Sequence, residues 1–187
     1  MKIVLIEYQF YAESISSLEL YKGLHEKLVQ RILVTNHSVS NVCDKTIVLN
    51  HNNQGKDIGA KLIAIDYLLA TGNNIDLVIF LHDKKSPHSP LGNYWFGELT
   101  KIFKPDLFER LLSEMHKSDV GICCSKNYIK NEYNKSDKTF DTPNNDLLIQ
   151  LIDQYGLHAA YPYSFVAGTI FCSKWLPVKQ FFLQYNP

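Results

Sequence analysis

Residues 76–83 read Asp-Leu-Val-Ile-Phe-Leu-His-Asp, and this stretch decides the fold class. Its interior is apolar without alternation, the pattern of a strand covered on both faces in a parallel sheet. Upstream, residues 57–70 place Ile58, Leu62, Ile65 and Leu69 at helical spacing, with Asp57 as the expected N-cap and Gly72 as the stop. Residues 2–6, 29–35 and 45–49 are rich in Ile, Val and Leu and read as further strands, and residues 12–28 carry helical spacing through Ile15, Leu18, Tyr21 and Leu24. Strands that alternate with helices predict an α/β fold, a mostly parallel, Rossmann-like central sheet with helices on both faces.

Working downstream, residues 94–103 and 105–116 predict helices, 120–124 a short strand, 145–155 a helix, 165–171 a strand and 174–184 a last helix. No repeat or linker divides the chain, so a single domain over residues 1–187 is expected. The 45% hydrophobic and 20% charged content excludes a disordered, collagen-like or membrane-embedded chain. Nineteen Lys and Arg balance nineteen Asp and Glu, without the basic excess that nucleic-acid binders carry. Cys43, Cys123, Cys124 and Cys172 contain no C-x-x-C, so no zinc ribbon or disulfide framework is visible and a reducing cytoplasm is expected. The apolar run at the N-terminus is too short for a signal segment or a spanning helix, which leaves peripheral contact with the inner face of a membrane through partners or a lipid-linked substrate.

In an open α/β sheet the ligand sits past the carboxyl ends of the strands. The candidates there are Glu7 after the first strand, Asn53, Gly55, Lys56, Asp57 and Gly59 after the third, His82, Asp83, Lys84, Lys85, Ser86 and His88 after the fourth, and Gly168 and Thr169 in the late apolar run. The glycine-containing loop before residue 57 opens a helix whose free N–H groups favour an anion. Asp83 can hold a divalent cation, Lys84 and Lys85 can meet phosphate, and Ser86 and His88 add hydrogen bonds. The same windows also read as a solvated basic turn, a capped helix start and a strand bulge at Gly168. Neither G-x-x-x-x-G-K-[ST] nor G-x-G-x-x-G occurs, so the P-loop and dinucleotide readings lack their motifs. His82, Asp83 and His88 together leave open a metal-dependent phosphoesterase.

Taken in order, Lys56-Asp57-Ile58-Gly59-Ala60, Leu81-His82-Asp83-Lys84-Lys85-Ser86-Pro87-His88, Gly92 with Trp95, and Phe165-Val166-Ala167-Gly168-Thr169-Ile170-Phe171 resemble the rhamnan synthesis F family. The resemblance runs from about residue 29 to the C-terminus, and the Lys-Lys-Ser-Pro-His and Ala-Gly-Thr-Ile-Phe segments are its specific parts. It implies a GT-A-like glycosyltransferase that moves a sugar, rhamnose among those implied, from a nucleotide-sugar donor to a bacterial surface polysaccharide or lipid-linked glycan. In that fold a D-x-D motif ends a central strand and holds Mg²⁺ or Mn²⁺ against the donor diphosphate. His82-Asp83-Lys84 stands at that station with one carboxylate, so the resemblance implies Asp83 as metal or ribose contact and lysines as phosphate contacts.

An inverting transfer also needs a base for the acceptor hydroxyl. Residues 165–187 hold no Asp or Glu, which leaves Asp141, Asp146, Asp153 and His158 as candidates, or a base beyond a chain truncated relative to the family pattern. The alternative is a non-catalytic nucleotide- or glycan-binding domain of a larger polysaccharide-synthesis protein.

Overall fold

A computed structural model describes residues 1–11, 22–39, 42, 44–83, 92–131, 133–134, 139–140, 145–157 and 164–185. The core is a six-stranded sheet built from β1 (Ile3–Gln9), β2 (Leu28–Thr35), β3 (Thr46–Asn50), β4 (Leu77–His82), β5 (Ile122–Cys123) and β10 (Phe171–Lys174). Its order is β3-β2-β1-β4-β10-β5, in which the first four strands run parallel and β10 runs antiparallel to both β4 and β5. The expected α/β class and mostly parallel sheet are therefore present. β4 is buried along its whole length, as its unbroken apolar run requires.

Each face of the sheet carries its own core. Ile3, Leu5, Leu77, Ile79 and Leu81 pack with Leu24 of α1 (Lys22–Lys27), Leu99 of α3 (Gly92–Thr100) and Phe108, Leu111 and Met115 of α4 (Pro105–Met115). Val4, Ile6, Val78 and Phe80 point the other way, into Ala60, Ala64 and Leu68 of α2 (Lys56–Thr71) and Trp175 of α6 (Trp175–Tyr185). The period-2 alternation of the strands thus divides one sequence between two helical layers.

Four local expectations need correction. The first helix was expected to run through residue 28, yet Leu28 already pairs with Ile3 in β2; residues 12–21 lie outside the described ones. Asp57 is not an N-cap: α2 begins one residue earlier, after the left-handed Gly55, and has no side-chain cap. The expected strand over residues 165–171 is two strands in different sheets. β9 (Phe165–Val166) pairs with β6 (Ile129–Lys130), and β10 starts at Phe171 after a turn in which Gly168 and Thr169 both have positive φ. The residues read at helical spacing in α2 do not form its buried face: Ile58 and Leu62 are exposed, and Ala60, Lys61, Ala64, Ile65 and Leu68 are buried. Past residue 125 the chain also carries β7 (Tyr133–Asn134) paired with β8 (Thr139–Phe140) before α5 (Asn145–Gln154). No helix among the described residues is long and apolar enough to cross a membrane.

Candidate functional site

The strand order reverses between β1 and β4. From β1 the chain steps outward through β2 to β3, then returns to place β4 on the other side of β1. The carboxyl ends of β1 and β4 therefore flank the crevice where open α/β sheets bind ligands. Tyr8 and His82 are register partners there. They point to the face that carries α2, since Ile6, Tyr8, Val78 and Phe80 share one core. Because β10 is antiparallel, its beginning rather than its end reaches this edge, and so the turn at Thr169 arrives beside α2.

Asp57 is the centre of the resulting cluster. Its Oδ2 accepts a hydrogen bond from Thr169 Oγ1 at 2.5 Å and from Lys61 Nζ at 3.2 Å, and lies 3.9 Å from His82 Nδ1. Lys61 also donates to the Thr169 carbonyl at 2.8 Å. Asp57 and Lys61, one helical turn apart, look out from the core side of α2, beside the small residues Ala60 and Ala64. Burial pushes the Asp57 carboxyl up, but the Thr169 hydroxyl, the Lys61 ammonium and His82 together outweigh it, so the group lies below the ordinary carboxylate range. Burial pulls the Lys61 ammonium below its usual value against the opposing pull of Asp57. The Thr169 backbone is held at φ 54°, which a β-branched residue adopts at a cost of about 1–3 kcal/mol.

Asn53 (φ 64°) and Lys56 (φ 53°) are also left-handed. Tyr8 donates its phenol to Asn53 Oδ1 at 2.7 Å, and burial, then Asp83 and Asp57, raise the phenol above its ordinary value, keeping it a donor. Asp83 turns its Oδ2 back to the amides of Phe10 and Tyr11, at 2.9 and 2.7 Å, while its own amide donates to the Tyr8 carbonyl at 3.0 Å. This carboxylate ties the exit of β1 to the exit of β4. One oxygen of Asp83 is so used, and among the described residues no three His, Cys, Asp or Glu side chains converge on a place for a divalent metal. No step below passes through one.

The remaining sequence candidates divide clearly. Glu7 is buried, and its Oε2 accepts from Arg31 Nε at 2.8 Å and Nη2 at 2.7 Å, inside the sheet rather than in the crevice. Gly55 supplies the left-handed entry to α2. Gly59 serves the chain's own packing, since a Cβ there would stand 2.0 Å from the Gln54 carbonyl oxygen. Gly168, at φ 82°, faces Leu99, whose methyl groups a Cβ would meet at 3.0 and 3.1 Å. Asp146 and Asp153 are exposed on α5. Lys84, Lys85, Ser86, His88, Asp141 and His158 lie outside the described residues.

Compared with known protein families, curated proteins and solved structures, the chain matches none. The site rests on its own geometry. Lys61 was not among the sequence candidates. A lysine four residues after Asp57, on the stripe that holds Ala60 and Ala64, was the available signal.

Proposed function

We propose that this chain is a GT-A-type glycosyltransferase domain that holds a nucleotide-sugar donor in the crevice between β1 and β4. The acceptor is a bacterial surface polysaccharide or a lipid-linked glycan, and rhamnose is the sugar that the sequence resemblance favours. One observation supports the reading above the others: Tyr8, Asn53, Asp57, Lys61, His82 and Thr169 come from four separate segments to one edge at the switch point. Three non-glycine residues accept left-handed backbones in building that edge. Strain gathered at a sheet's ligand-binding edge is the mark of a pre-organised site.

In the reaction the acceptor oxygen bonds to the anomeric carbon as the bond to the terminal phosphate oxygen breaks, and the nucleoside diphosphate leaves with the electron pair. Lys56 is exposed at the head of α2 and, with Lys84 and Lys85 next to Asp83 in sequence, supplies cations for that developing charge. The acceptor proton passes to a base, for which Asp141, Asp146, Asp153 and His158 remain the candidates.

The test is thermal unfolding with UDP, dTDP and GDP, followed by turnover assays with the matching nucleotide sugars. At 100 times its Kd a nucleotide that binds here adds about 2.7 kcal/mol, and Lys56→Ala with Lys84→Ala should erase most of it. Absence of any nucleotide effect would overturn the proposal. Binding without turnover would favour the non-catalytic domain, a reading supported by the exposed setting of Asp146 and Asp153 on α5.

A further inference from the structure

At the opposite side of β4 from the crevice's β1 wall, β10 and β5 place two cysteines directly across from each other: Cys172 is the register partner of Cys123. Directly opposed residues of an antiparallel pair point to the same face of the sheet. Both cysteines accordingly join the core that holds Leu99 and Met115. The Lys174 amide donates to the Gly121 carbonyl at 3.0 Å, and two residues along the same ladder stand Cys172 and Cys123. That spacing makes theirs a hydrogen-bonded position, with Cα atoms about 5.5 Å apart. A disulfide spans Cα separations of roughly 4.4–6.8 Å, so the backbone already lies within range. The Cβ atoms have about 1 Å left to close, and β5, a two-residue strand at the sheet's edge, is the partner able to move.

We propose that Cys123 and Cys172 form a reversible cross-strand disulfide under oxidising conditions. Cys123 is half-buried and reachable, whereas Cys172 is closed off from solvent. The order of steps follows from that difference. A peroxide oxidises the Cys123 thiolate to the sulfenic acid, transferring one oxygen and leaving as hydroxide. The Cys172 thiol, which burial holds well above its ordinary value, then attacks that sulfur and passes its proton to the departing hydroxyl, which leaves as water; the net change is two thiols and one hydrogen peroxide to one disulfide and two waters. Burial and Glu114 hold the Cys123 thiol up, against Lys117 and Lys174, so the first step quickens as pH rises above neutral. The residual Cβ gap leaves the bond strained and therefore easily reduced.

The bond would close the whole excursion between residues 123 and 172, within which lie α5, β9 and the Thr169 turn. It depends in no way on the sugar-transfer reading.

The experiment uses the full chain carrying Cys43→Ser and Cys124→Ser, treated with hydrogen peroxide at pH 7 and pH 9. The expected result is loss of both remaining thiols, faster at pH 9, with no dimer on a non-reducing gel and a 123–172 linked peptide on mapping. Dithiothreitol should restore both thiols. A further Cys123→Ser change should leave Cys172 unoxidised in the folded protein, with its unfolding transition intact. Oxidation confined to Cys123 as sulfinic acid, intermolecular linkage, or two thiols that persist at pH 9 would each overturn the proposal. In the otherwise unchanged protein, a linkage between Cys123 and Cys124 would overturn it as well.

Discussion

The two edges of the central sheet are built differently. At the amino edge the chain closes on itself with ordinary bonds: the Asp76 amide donates to the Lys2 carbonyl, the Lys2 amide to Asp76 Oδ2, and the Trp175 amide to the Asp76 carbonyl. Its charges, such as Lys27 with Glu109, meet in solvent. At the carboxyl edge a lysine only 5% exposed is held by one carboxylate and one carbonyl, and three non-glycine residues sit in left-handed conformations. A fold that needed only stability would not concentrate these costs on one side. The comparison teaches that buried charge and left-handed backbone gather at the carboxyl edge, where the proposed donor would sit.

Substitutions can break or sharpen that contrast. The largest effect is expected from Arg31→Met, which takes the guanidinium away from the buried Glu7 carboxylate and should cost about 4 kcal/mol in urea unfolding. Gly59→Ala follows at about 3 kcal/mol, because its new methyl group must displace the Gln54 carbonyl. Asp57→Asn leaves the Lys61 ammonium buried beside a neutral amide and should cost about 2 kcal/mol at pH 7. Its pH dependence has a defined sign. The Asp57 carboxyl is lower in the folded state than its ordinary 3.8, so its contribution is complete above that value and is lost as pH falls through the lower, folded value. The stability gap between wild type and Asp57→Asn should therefore stay level from pH 7 to pH 5 and narrow below about pH 4. A gap that is unchanged at pH 2.5 would show that Asp57 is not held as a carboxylate.

Thr169→Ser keeps the hydroxyl and removes the β-branch that resists a positive φ, so stability should change by less than about 0.5 kcal/mol, toward the more stable side. At the amino edge, Glu109→Ala should register under about 0.5 kcal/mol, the usual worth of an exposed pair. Equal costs at the two edges would remove the contrast.

How far the sequence foretold this follows from the same division. β1, β2 and β4 are runs of Ile, Leu and Val long enough to announce burial by themselves, whereas α2 was legible as a helix but not in its facing: of the spaced residues Ile58, Leu62, Ile65 and Leu69 only Ile65 is buried, and the core side is Ala60, Lys61, Ala64, Ile65 and Leu68. Asp57 and Thr169 were both legible as candidates, but their bond joins residues 112 apart, which no local pattern encodes. The one-strand reading of residues 165–171 failed because Phe165, Val166, Ile170 and Phe171 favour strands, while the Gly168-Thr169 turn is imposed by Asp57 and Lys61 from α2. Asp57 likewise looked like a cap from its position ahead of an apolar stripe, whereas tertiary bonding took its carboxylate elsewhere.

The antiparallel course of β10 has a consequence for the order of events in time. The parallel strands β1 to β4 all lie before residue 83, and they can pair while the rest of the chain is still being made. The crevice needs Thr169, and Thr169 reaches it only once β10 has inserted against β4 and Trp175 has docked beneath α2 and β4. Contacts so distant along the chain form late, because loop closure must come first. The scaffold can form early in folding, and the edge that gathers Asp57, Lys61 and Thr169 is completed last.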